Sequence, residues 1–184
     1  MPNPITINES NITLTFPNEE QVFRFQDCQE YKELQSIQEM DVCWYDTPNN
    51  ELYLIELKDW GDGVLEKKKN GTLNTVQLEN TITKSRISNL VGKKKDSTLM
   101  LSAILLGTNH GQKMHESMPF QINDETTFRF INIINWTKSD TTYINSINSK
   151  CKTNFAGCRQ LFSLRTPVTM TKAQAMQRFD WVTG

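Results

Sequence analysis

The sequence predicts a mixed α/β (α+β) fold, a mixed β-sheet flanked by helices. Three observations predict it. Two strand-like runs, Ile37–Tyr45 and Leu52–Leu57, are rich in Val, Ile, Leu and aromatics and flank a Pro-Asn-Asn turn. A long helical stretch follows over about Thr75–Leu106. Strand, helix, strand and helix patterns then succeed one another to Trp181. The 184 residues are enough for one domain with a substantial core. That domain is expected to span 1–184, with its core in about 19–136 and a strand and helix extension in 137–184.

In chain order, Ile5–Ile7 and Ile12–Phe16 read as short strands about a polar turn. Asn18 is placed to cap a short helix over Glu19–Phe23, and Asp27–Leu34 can form a second. After the two strong strands, Gly61-Asp62-Gly63 begins a polar loop. In the long helix Leu78, Ile82, Ile87, Leu90 and Val91 fall near a 3.6-residue period, Gly92 is a point of interruption, and Leu99–Leu106 is apolar nearly all round. Thr108–Glu125 reads as loop, Thr127–Trp136 as strand and Asp140–Cys151 as helix. Leu161–Leu164 and Val168–Met170 read as strands, and Thr171 caps a last helix, Lys172–Trp181.

Composition narrows the function. A net charge of −1 excludes broad electrostatic attraction to nucleic acid, so any such contact needs a local basic patch. Cys28, Cys43, Cys151 and Cys158 form no C-x-x-C pair, which argues against a zinc ribbon and for reduced thiols, with Cys43 a small core residue. Met1–Ser10 is polar and the longest apolar segment, Leu99–Gly107, is too short to span a bilayer. A cytoplasmic protein with no membrane partner is expected. No P-loop, dinucleotide fingerprint or serine or cysteine nucleophile motif is present.

The chemistry concentrates in Glu39–Trp60, EMDVCWYDTPNNELYLIELKDW. A two-residue loop at Pro48-Asn49 and a four-residue loop over Thr47–Asn50 give the same register. Either sets Asp41 opposite Glu56, and Glu39 opposite Lys58. A loop of odd length turns Asp41 to the other face. Two facing carboxylates repel unless a cation lies between them. Carboxylate oxygens suit Mg²⁺ or Mn²⁺. Lys58 can reach the same phosphate, orient a water or offset transition-state charge. The plainer reading is a solvated sheet face carrying a Glu39–Lys58 ion pair.

Met40-Asp41, the fourteen residues 42–55 and then Glu56-Leu57-Lys58, on a hairpin before a long helix, resemble the PD-(D/E)XK nuclease superfamily over roughly Glu19 to Trp136. The resemblance implies a restriction-endonuclease-like fold and a Mg²⁺- or Mn²⁺-dependent nuclease. It implies cleavage of phosphodiester bonds in DNA, in restriction or genome defence. Asp41 and Glu56 would hold metal together with the Leu57 backbone carbonyl, and Asp41, Glu56 and Lys58 would be catalytic. Glu19, Glu20, Glu30 and Glu33 are open candidates for a further acidic ligand. Gln77 matches part of a Q-x-x-x-Y element found in one branch, with Thr81 where that branch has tyrosine. The alternative is a catalytically silent nuclease-fold subunit that binds nucleic acid or a partner. A homodimer or a larger complex is expected, because a core of this size leaves little room for a recognition domain.

Lys67, Lys68, Lys69, Lys84, Arg86 and Lys93–Lys95 read either as a basic rim that tracks a phosphate backbone or as a solvated lysine face. Trp60 could stack on a base or pack in the core. His110 and His115, five apart, form a poor metal pair.

Overall fold

A computed structural model describes residues 3–61, 75–138 and 141–183, and of residues 75–81 the backbone alone. Seven strands and five helices are described: β1 Ile5–Glu9, β2 Ile12–Phe16, β3 Val22–Phe23, α1 Gln29–Lys32, β4 Val42–Asp46, β5 Glu51–Asp59, α2 Thr75–Leu105, α3 Asn109–Glu116, β6 Thr127–Asn135, α4 Thr142–Leu161, β7 Val168–Thr171 and α5 Lys172–Arg178. β1 and β2 form a separate antiparallel hairpin, and the other five make one sheet in the order β3-β4-β5-β6-β7. β3, β4 and β5 are antiparallel, whereas β6 and β7 join parallel, so the sheet is mixed as predicted.

Strand alternation divides the side chains between two faces. Val42, Ile55, Leu57, Ile131, Ile133 and Met170 pack under the β1–β2 hairpin and α5. Cys43, Leu52, Leu54 and Phe130 pack under α2 and α4 through Met100, Leu101, Ile104 and Phe155. Toward the start of α2, Trp60, Ile87, Leu90, Val91, Ile134, Ile144 and Ile147 continue that second layer. Cys43 is fully buried, as its place in the strand suggests, and all four thiols are free. Among the described residues no helix is long and apolar enough to cross a membrane.

The hairpin has the even loop its register needs. Asp46 pairs with Glu51 across Thr47–Asn50, with Thr47–Asn49 as a single 3₁₀ turn. Asn50 closes the turn in the left-handed region at φ 50°, a conformation asparagine tolerates. Its side-chain oxygen accepts the hydroxyls of Tyr45 and Thr126, which ties the turn to the start of β6.

Several boundaries differ from the sequence reading, each for a local reason. β4 begins at Val42, not Ile37, because the backbone before it bonds to α2: Gln38 N–H donates to Asp96 and Met40 N–H to Ser97 Oγ. The segment after Asn18 is a 3₁₀ turn over Glu19–Gln21, capped by Asn18 through Glu20 N–H, and then strand β3, not a helix to Phe23. The second short helix covers only Gln29–Lys32. α2 runs through Gly92 without a break. The stretch read as loop after Thr108 contains helix α3, capped by Thr108 through Gly111 N–H. α4 continues to Leu161, which removes the strand read over Leu161–Leu164. α5 carries a Thr171–Gln174 capping box but ends at Arg178.

Candidate functional site

The sheet brings Asp41 and Glu56 together at the edge of the α2-facing layer. Val42 pairs with Ile55, so Asp41 enters β4 beside Glu56 of β5. Its position is fixed at both ends. Asp41 Oδ2 accepts Leu57 N–H at 2.7 Å, and Arg24 Nε donates to the Asp41 backbone carbonyl at 3.2 Å while its guanidinium pairs with Glu9. Glu56 has no solvent exposure and Asp41 only 8%.

Two ammonium groups meet these carboxylates. Lys58 Nζ lies 2.5 Å from Glu56 Oε1 and 3.9 Å from Asp41 Oδ2. Lys93 Nζ, from α2, lies 2.8 Å from Asp41 Oδ1 and 2.9 Å from Glu56 Oε1. Both ammonium groups meet Glu56 Oε1, whereas Oε2 has no hydrogen-bond partner among the described residues. A buried carboxylate left in that condition is costly, and it fits a site built to receive a further cation. Burial first, and then the Asp41 charge, raise the Glu56 carboxyl above the usual carboxylate range against the pull of both lysines. Burial acts to lower the Lys93 ammonium, but the Glu56 and Asp41 charges outweigh it and hold it above the usual lysine range.

Glu39 takes no part. The strand ends before it, so it does not sit opposite Lys58, and its carboxylate accepts the Tyr31 hydroxyl instead. The expected Glu39–Lys58 pair is therefore absent, and Lys58 turns to Glu56 and Asp41. The Leu57 carbonyl accepts the Ser10 hydroxyl at 3.2 Å from the β1–β2 turn, which leaves one of its two lone pairs.

The acidic pair starts a polar row that crosses the sheet. Glu56 neighbours Asn132 on β6, and Asn132 neighbours Thr169 on β7, all buried. Asn132 Nδ2 donates to Thr169 Oγ1 at 2.6 Å. Fully buried Lys94 donates to Asn132 Oδ1 at 2.7 Å and to the Leu90 carbonyl at 3.0 Å. Its burial pushes the ammonium pKa down to about 8.

Among the described residues no third His, Cys, Asp or Glu joins the pair. Glu19 instead accepts Asn3, and Glu30 accepts Cys28 and Ser117. His110 bonds the Glu30 carbonyl, and His115 accepts Ile122 N–H. Mg²⁺ binds with as few as one or two carboxylates plus waters and phosphate, so Asp41, Glu56 and the Leu57 carbonyl are the groups that would hold such an ion.

The remaining candidates scatter. Lys67, Lys68 and Lys69 lie outside the described residues, as does the Gln77 side chain, although its backbone belongs to α2. Lys84 is exposed and lines an open groove of about 510 Å³ between α2 and α4, with Lys95 and Lys150. Arg86 lies over the Trp60 ring at 4.4 Å and donates to the Tyr143 hydroxyl at 3.2 Å. Trp60 is buried in the core beneath it.

Asn132 is a site residue that the sequence reading did not single out, and Lys93 and Lys94, read there as part of a basic rim or solvated face, instead turn inward to the carboxylates and to Asn132. The signal for Asn132 is a lone amide within the apolar run Phe130–Ile134. No family model matches the chain, and no curated protein or solved structure matches it either.

Proposed function

We propose that this protein is a Mg²⁺- or Mn²⁺-dependent nuclease of the PD-(D/E)XK type that hydrolyses phosphodiester bonds, with DNA as substrate. One observation carries the reading: two carboxylates with almost no solvent exposure meet beside Lys58, and among the described residues Glu56 Oε2 has no hydrogen-bond partner. The strand order, with an antiparallel hairpin followed by a long helix and a parallel strand, agrees with the restriction-endonuclease-like arrangement that the motif implies.

In this reading Asp41, Glu56 and the Leu57 carbonyl hold the cation. The bound ion supplies charge neutralisation at the phosphate and acidifies a water. Leu57 N–H orients Asp41, and Arg24 holds the Asp41 backbone against β1. Lys58, partly exposed beside Glu56, orients the attacking water and offsets the charge that builds on the phosphate. Restriction or genome defence, and action as a homodimer or within a larger complex, belong to the same proposal.

A second reading has its own support. The two carboxylates and two lysines neutralise each other without any ion, as a structural ion cluster in a silent, nucleic-acid- or protein-binding subunit would. The test incubates the protein with plasmid, linear and single-stranded DNA and with RNA, in Mg²⁺, Mn²⁺ or EDTA, beside Asp41→Ala and Lys58→Ala. Metal-dependent cleavage lost in both variants supports the nuclease. Cleavage that survives both substitutions overturns the assignment of the site, and none in any condition favours the silent subunit.

A further inference from the structure

Lys93 stands where a bridging cation would stand. Its ammonium is nearly equidistant from one oxygen of each carboxylate, at 2.8 and 2.9 Å, whereas Lys58 is one-sided, at 2.5 Å from Glu56 and 3.9 Å from Asp41. Two carboxylates and two ammonium groups sum to zero. A dication added to all four would leave a site of low exposure with an excess of two positive charges, at separations where Coulomb repulsion is strong. One ammonium has to withdraw.

Geometry selects Lys93. Its side chain reaches the site from α2, a different element from the strands that carry both acids, and it is the ammonium that occupies the position between them. An open groove lined by Ser36, Gln38, Ser85, Asn89, Gly92 and Asp96 opens on the same stretch of α2. Asn89 and Asp96, four residues before and three residues after Lys93, are its neighbours on the helix surface, so the four-carbon arm has a path toward that groove without any movement of the helix.

We propose that Lys93 is the resident counter-ion of the Asp41–Glu56 pair, displaced when a divalent cation binds, so that metal affinity is set by competition with this side chain. The proposal rests on the metal-dependent reading of the same site. It assigns Lys93 a positioning role: it holds the carboxylates together and in place until the ion arrives.

The test measures Mn²⁺ binding to the full chain by titration calorimetry, with the free ion followed by electron paramagnetic resonance. Lys93→Met removes the charge at similar length, and Lys93→Gln keeps a donor if the methionine variant does not fold. Both are expected to bind Mn²⁺ about tenfold more tightly than the wild type, or better, and to melt earlier in EDTA. Lys93→Arg keeps the charge and should bind as weakly as the wild type. Lys95→Met, two residues on and exposed, should leave the affinity unchanged. Unchanged or weaker Mn²⁺ binding in the neutral Lys93 variants overturns the proposal while leaving the metal site standing. An equal gain in Lys95→Met also overturns it, since the general field and not the bridge would then be responsible. No Mn²⁺ binding by any variant overturns the metal reading itself, and this proposal with it.

Discussion

The two faces of the five-stranded sheet are built from the same strands and do opposite things. Under the β1–β2 hairpin the face is apolar, and an aromatic cluster covers it: Phe16 stacks on Trp44 at 5.4 Å, and Trp181 packs against Phe16, Trp44, Tyr53 and Phe179. Under α2 the face carries a buried polar row, from Asp41 and Glu56 through Asn132 to Thr169, with Lys93 and Lys94 descending onto it. Burial of apolar rings stabilises at little risk, whereas burial of carboxylates is costly unless every charge is met. The difference teaches that one face is apolar throughout, whereas the other combines an apolar core with a buried row of charged and polar groups.

The largest expected effect breaks the polar face. Asp41→Asn keeps the shape and loses the charge, so metal-dependent cleavage should fall by more than about 10²-fold. Initial rates on plasmid DNA in saturating Mn²⁺ check it. The counterpart breaks the apolar face. Phe16→Ala should cost about 3–5 kcal/mol of folding stability by denaturant titration, and Mn²⁺ affinity should be unchanged in the protein that remains folded.

Lys94 sharpens the contrast through pH. Its folded pKa of about 8 lies below that of an unfolded lysine, so between the two the unfolded chain binds more protons. Stability from this group is therefore lowest below about pH 8 and rises from there toward pH 10.5. Relative to Lys94→Met, the wild type should gain stability over that window, by up to roughly 3 kcal/mol. Melting curves of both proteins across the window measure it, and parallel curves would show that Lys94 does not titrate there.

The smallest effect lies away from both faces. A β-carbon on Gly111 would stand 2.1 Å from the Ala103 carbonyl oxygen, so only glycine lets α3 approach α2 this closely. Gly111→Ala should cost about 1–3 kcal/mol in thermal denaturation and leave cleavage intact.

The hairpin was legible because strand alternation and loop parity are discrete: one count of residues puts Asp41 beside Glu56. The sheet class was legible from the same alternation. Lys93 was not, because Lys93, Lys94 and Lys95 read as one basic run. A helix turns each about 100° from the last, which sends the first to the acidic pair, the second into the core and the third to solvent. Glu39 illustrates the converse. Strand periodicity carries it onto the sheet, but hydrogen bonds from Gln38 and Met40 to α2 end the strand first. Helix α3 escaped because Asn109–Glu116 holds a single large apolar residue, Met114, so there was little period to find.

The register of β4 and β5 also has a temporal consequence. The two carboxylates belong to a hairpin closed by four residues, whereas Lys93 lies some forty residues further along and β6 pairs with β5 from beyond it. Local contacts form before distant ones. A hairpin that assembles first carries two negative charges against the single ammonium of Lys58 until α2 brings Lys93. The early stage of folding is thus opposed by the chemistry that the finished site requires. Dissolved cations relieve that opposition, so refolding should accelerate with ionic strength in the wild type and much less in Glu56→Gln.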